Sequence, residues 1–218
     1  MRSFSRIVML SCLGALASPA LLGCSAKYGK RVPKELVAKL PYESRIELLE
    51  AENELAVAID RLDESESEIL RTRHALRRAR SRLGAAHGEV GDAKEPEAKA
   101  VAKLAVTEGK ARVEFLHRRQ RMNVEARELE TLALRCAFAR FELARLTVAR
   151  KAKVKGSERL PPAEFEKQIA RCDAEVTEER KGGEKTRERL AKAKQDWDAK
   201  KEELASQSFD SRATPFVE

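Results

Sequence analysis

Leu48, Leu55, Leu62, Ile69, Leu76 and Leu83 recur every seven residues, and no proline or glycine interrupts the chain between Tyr42 and Leu83. Small residues stand three places after the first five: Ala51, Ala58, Ser65, Thr72 and Ala79. A period of seven is close to two turns of an α-helix, so these positions form one seam along the helix. Large side chains alternating with small ones let a second helix approach and interlock. Five uninterrupted repeats commit this stretch to a long helix packed against another.

Composition points the same way. Charged residues make up 37% of the 218-residue chain and aromatics only 5%, a balance that suits long solvent-washed helices better than a thick globular core. Proline and glycine divide the chain. Pro41 suits the first turn of a helix expected over residues 41–83. "GAAHGEVGDAKEP", residues 84–96, holds three glycines and a proline and reads as a loop.

A second helix is expected over 97–153, with Phe115, Met122, Leu129, Cys136 and Leu143 seven apart and Ala126 and Ala133 between them. Apolar residues around it, Leu132, Leu134, Phe138, Phe141, Leu146 and Val148, spread beyond one stripe. Such breadth implies contact with two neighbouring helices or with a partner.

"KGSERLPP", 155–162, is the next turn, and a third helix is expected over 162–206. Its spacing alternates four and three: Phe165, Ile169, Cys172, Val176, Glu179, Gly183, Thr186, Leu190, Ala193, Trp197, Lys200 and Leu204. Gly182 and Gly183 weaken its centre by about 1 kcal/mol each and mark a kink or a close helix crossing.

The fold class expected is therefore all-α: a long antiparallel three-helix coiled-coil rod, up-down-up, with each helix about 65–85 Å long at 1.5 Å per residue. A helical hairpin with a partly docked third helix is the alternative. Glu43, Glu47, Glu50, Glu52 and Glu54 at the start of the first helix face Arg135, Arg140, Arg145, Arg150, Lys151 and Lys153 at the end of the second, if the two run antiparallel. The helical domain is taken as residues 41–206, preceded by a basic tether over 24–40 and followed by a flexible tail over 207–218.

The N-terminus has a different character. Arg2 and Arg6 precede an apolar stretch, Ile7 to Leu22, that contains no charge. That is the layout of a secretory signal peptide, and the stretch is shorter than the roughly 20 residues needed to span a bilayer. It ends in Leu21-Leu22-Gly23-Cys24, which resembles the lipobox of bacterial lipoproteins. The resemblance implies a signal peptide over 1–23, cleavage after Gly23, and acylation of Cys24, with two or three chains giving firm membrane attachment. Ser25, where inner-membrane lipoproteins of enteric bacteria carry aspartate, implies the outer membrane with the protein facing the periplasm; the outer leaflet of the inner membrane is the alternative. Residue 218 is glutamate, which speaks against murein attachment through a C-terminal lysine.

Processing would remove Arg2 and Arg6 and lower the net charge from +8 to about +6. It would leave two unmodified cysteines, Cys136 and Cys172, in an oxidising compartment. Counted from the turn between the second and third helices, they stand about seven residues out of step. That is roughly 10 Å, more than the ~7 Å a disulfide spans. Buried free thiols are therefore expected, with a bridge only if a tilted loop or a shorter helix closes the gap.

The most polarised segment is "LRTRHALRRARSRL", 70–83, with Arg71, Arg73, Arg77, Arg78, Arg80 and Arg82 and no acid from there to Glu89. At the end of the first helix it would form a basic tip remote from the lipid. It would be either a solvated helix face or a contact for an anionic envelope polymer, headgroup or acidic protein. Nucleic acid is not expected as a partner in that compartment.

Catalytic, cofactor and metal sites are not expected. His74, His87 and His117 lack ligand spacing, and "RKGGEKT", 181–187, lacks the first glycine and the Gly-Lys-Thr of a phosphate loop. The function expected is a non-enzymatic lipid-anchored scaffold, spacer or recruiting rod, with homo-oligomerisation open. A periplasmic holdase resembling the basic coiled-coil chaperones and a helical adaptor for an export channel are the alternatives.

Overall fold

The structure is a computed structural model that describes residues 29–208. The expected signal peptide, Cys24 and the end of the tail from residue 209 lie outside the described residues. Within them the chain is all helical, without strands: α1 (Lys34–Ala38), α2 (Tyr42–Ile46), α3 (Leu49–Asp92), α4 (Pro96–Lys151), a 3-10 turn (Ser157–Arg159), α5 (Pro162–Gly182) and α6 (Glu184–Ser208). None of these helices is long and apolar enough to cross a membrane.

The seven-residue seam is real and longer than expected. Leu48, Ala58, Ile69, Thr72, Leu76 and Ala79 are buried and the intervening seam residues are half-buried. The repeat then runs straight through the segment read as a loop. Ala86 and Val90, seven residues beyond Ala79 and Leu83, are buried and half-buried, and α3 ends only at Asp92. Gly84, Gly88 and Gly91 stand on the exposed side, where they cost helix propensity but obstruct nothing. Seam burial outweighs that cost.

α4 is the central helix. α3 packs along one of its sides and α5–α6 along another, and α3 scarcely touches α5 or α6. Its breadth of apolar residues is thus used within the chain. The stripe read from the sequence (Phe115, Met122, Leu129, Cys136, Leu143) faces the third helical stretch: Phe115 stacks on Trp197 at 5.0 Å and Cys136 bonds to Cys172. A second heptad carries α3, marked by Ala102, Gly109, Leu116, Asn123 and Ala137, all buried. A Cβ on Gly109 would lie 3.1 Å from Leu83 Cδ1, so glycine lets Leu83 pack closely against α4 here.

The third stretch follows its expected four-three spacing, with none of those twelve positions exposed. The glycine pair makes only a brief interruption. Gly183 keeps helical angles (φ −71°, ψ −14°), and Gly183 N–H donates to Glu179 O at 3.2 Å while its own carbonyl accepts from Arg187 N–H at 3.1 Å.

The N-terminal boundary differs from expectation. From Gly29 onward the supposed tether is packed, and α1 and α2 precede the long helix. Val32, Leu36, Leu40 and Leu48 form a core with Leu146, Val148, Ala149, Val154 and Phe165 across the α4–α5 turn. Val32 N–H donates to Glu142 Oε2 at 2.6 Å, and Arg145 donates to the other carboxylate oxygen at 2.8 Å. Gly29, at φ +76°, lies where any Cβ would collide with the Gln168 side chain. Leu146 and Val148, expected to meet either a neighbouring helix or a partner, are covered by this cap.

Cys136 and Cys172 are bridged rather than free, with Cα atoms 5.6 Å apart. The expected mismatch disappears because α4 ends two residues early and the chain climbs back before α5 begins. Arg150 donates to Ser157 O at 3.3 Å and to Leu160 O at 2.8 Å, placing the 3-10 turn beside the last turn of α4. The Glu158 carboxyl in that turn is held below the ordinary carboxylate range by its own backbone N–H and that of Gly156.

Candidate functional site

The arginine block does not form a tip. Because α3 continues to Asp92, Leu83 lies about 14 Å before its end and the block occupies the shaft. All six guanidinium-bearing residues are exposed, but helical geometry splits them between the two flanks of the buried seam. Arg73, Arg77 and Arg80, spaced four and three apart, share one flank; Arg71, Arg78 and Arg82 share the other. Arg71 is bound to Glu68 one turn back. Arg73, Arg77 and Arg82 pair with no carboxylate among the described residues.

α4 completes the first flank. Arg73, Leu76, Arg77 and Arg80 line a shallow cleft of about 300 Å³ together with Gln120. Gln120 also borders a second open cleft of about 450 Å³, formed by Glu114, His117, Arg118, Arg121 and Val124. The two share Gln120, and the second is formed by α4 alone. Arg80 Nη2 donates to His117 Nε2 at 2.8 Å, the only role open to a guanidinium. Arg118 is paired with Glu114 at 2.7 Å and Arg121 with Glu125 at 3.3 Å. Glu125 is itself tied to α6, accepting a hydrogen bond from Thr186 Oγ1 at 3.0 Å.

Sequence reasoning missed the α4 contribution. "HRRQR", 117–121, was visible as a basic run, but which helix face met it depended on the register of α3 against α4. That register is marked by one polar contact in the seam. Asn123 Nδ2 donates to Thr72 Oγ1 at 2.8 Å and to Glu68 O at 3.2 Å, and both side chains are buried.

The antiparallel charge match between the start of the first helix and the end of the second is narrower than expected. Lys151 reaches Glu47 at 2.9 Å. Arg140 turns to Asp173 and Arg135 to Glu175 on α5, whereas Arg150 binds backbone carbonyls of the turn.

A separate cleft of about 600 Å³ lies where α3 and α5 fail to meet, over the α4 residues Ala133, Cys136 and Ala137. Arg61, Arg140 and Arg180 alternate there with Glu54 and Asp173, so it presents no single sign of charge. Among the described residues no three or more His, Cys, Asp or Glu side chains gather as a metal set.

At its far end the molecule is held by Trp197. Its Nε1–H donates to Glu108 at 2.6 Å, its ring stacks on Phe115, and the Arg112 guanidinium lies 5.4 Å from the ring centroid. Ala75, Leu76, Ala79 and Leu116 complete this cluster. Comparison with known proteins found no matching family model, no similar curated protein and no similar solved structure.

Proposed function

We propose that the chain is a non-enzymatic, lipid-anchored protein of a bacterial cell envelope, a helical coiled-coil rod that scaffolds or spaces a partner beneath the outer membrane. The observation that carries this reading is Leu21-Leu22-Gly23-Cys24 at the end of a charge-free apolar run. The packed cap supports it. Only residues 25–28 separate Cys24 from the described part of the chain, so an acylated Cys24 would hold the base of the helices close to the bilayer rather than on a long leash. The contact surface is the flank of α3 and α4 that carries Arg73, Arg77, Arg80, His117 and Gln120.

Mass spectrometry of the protein isolated from its own membranes tests the anchor. The expected mass begins at Cys24 and carries two or three acyl chains. Cys24→Ala is expected to abolish that acyl mass and shift the protein from the membrane to the soluble fraction. A chain beginning elsewhere, or one without acyl mass, removes the assignment.

A further inference from the structure

A second stripe runs along α3, displaced by one residue from the buried seam and exposed throughout. It keeps the same three-four spacing. Leu49, Ile59 and Leu70 are its large apolar members, exposed by 57%, 44% and 55%. Its acids, Glu52, Asp63 and Glu66, all lie before Leu70, and its bases, Arg73, Arg77 and Arg80, all lie after it.

We infer that this stripe is the self-association surface of the protein, and that its occupant is the same stripe of a second copy, antiparallel and centred on Leu70. Reversing α3 about Leu70 sets Asp63 opposite Arg77, brings Glu66 beside Arg73, and packs Leu70 against its own counterpart. Small Ala56 then meets Gly84. Leu70 is also the midpoint of α3, Leu49–Asp92, so the two helices overlap along their whole length. A two-fold contact must be complementary to itself, and a stripe with acids in one half and bases in the other meets that condition. It does not suit an extended polyanion, which the acidic half would repel. Within its own chain Asp63 has no basic partner and Arg77 no acidic one among the described residues.

The inference takes from the proposed function only that this flank is a contact surface, and it does not depend on the lipid. If both copies are acylated, the starts of their α3 helices, at Leu49, fall at opposite ends of the pair, about 60 Å apart. Both anchors then reach one bilayer only when the pair lies along it.

The test uses the full chain in detergent, under mild oxidation. Leu70→Cys is expected to give a covalent dimer, because the two-fold axis brings the substituted positions together. Glu64→Cys, exposed on the other flank, and the unsubstituted chain are expected to give none. By sedimentation, Asp63→Arg and Arg77→Asp are each expected to weaken the dimer about tenfold, since symmetry counts each change twice. Mixing these two variants, or combining both changes in one chain, is expected to restore it. Far-UV circular dichroism, expected to be unchanged, checks that both variants remain folded.

A chain that stays monomeric, or a dimer indifferent to Asp63 and Arg77, overturns the inference. So does a monomer that binds inorganic polyphosphate and loses that binding with Arg73→Ala and Arg77→Ala, a result that would assign the flank to an anionic polymer. Absence of acyl mass at Cys24 overturns the membrane assignment alone.

Discussion

At the scale of single residues, the conformational exceptions sit where the chain changes direction. Lys153, at φ 55°, is the only non-glycine residue with positive φ among those described. It follows the end of α4 in a complete Schellman arrangement: Val154 N–H reaches Ala149 O, and Lys153 N–H reaches Arg150 O, both at 2.9 Å. Val154 and Ala149 are packed in the basal core. A left-handed residue with a Cβ costs about 1 kcal/mol, partly offset in glycine by the entropy of its unfolded chain. Lys153→Gly is therefore expected to raise stability by about 0.5 kcal/mol, seen as a higher denaturant midpoint at unchanged slope. Lys153→Ala, which keeps the strain while removing the charge, is expected to gain nothing. An equal gain from both would locate the effect in the charge instead.

At the scale of elements, the contest lies between local propensity and side-chain periodicity. Residues 84–92 carry three glycines and were expected to form a loop, yet Ala86 and Val90 extend the seam and the helix continues. In the third stretch Gly182 and Gly183 divide α5 from α6, yet backbone hydrogen bonds continue across Gly183. This stretch lacks apolar residues at Glu179, Gly183 and Thr186, and it is held mainly by Phe165 in the basal core, the bridge from Cys172, and Trp197 near its far end. The disulfide joins residues 36 apart in sequence, for which chain-entropy reasoning gives a stabilisation of roughly 2–4 kcal/mol. Reduction, or paired Cys136→Ala and Cys172→Ala, is expected to lower stability by that amount. Hydrogen exchange should increase chiefly in α5, because Trp197 still clamps α6 to α4. Equal loss of protection in α3 would show that the bridge secures the whole molecule rather than this stretch.

For the whole molecule, the decisive quantity is the alignment of α3 on α4, since it brings Arg73, Arg77 and Arg80 beside His117 and Gln120. Gly109 lets Leu83 pack closely against α4, and the buried Asn123–Thr72 hydrogen bond marks the register. A polar pair in an apolar seam lowers stability while penalising slipped alignments, which would bury it unsatisfied. Asn123→Ala is thus expected to cost about 1–2 kcal/mol, whereas Asn123→Leu combined with Thr72→Val is expected to gain about 1 kcal/mol. The double variant should broaden the α3–α4 alignment, detectable as cross-links between cysteine pairs one heptad out of register. A single sharp alignment in that variant would mean that Gly109 suffices.

The helical class, the seam of α3 and the packed positions of the third stretch were all legible from spacing, because a residue's place on a helix depends only on its number along the chain. The N-terminal cap, the Cys136–Cys172 bridge, the continuation of α3 through its glycines and the basic flank shared by two helices were not. Each depends on how far one element is displaced along another, and that displacement is set by turn geometry and by interlocking side chains far apart in sequence. Spacing within one helix carries no record of it.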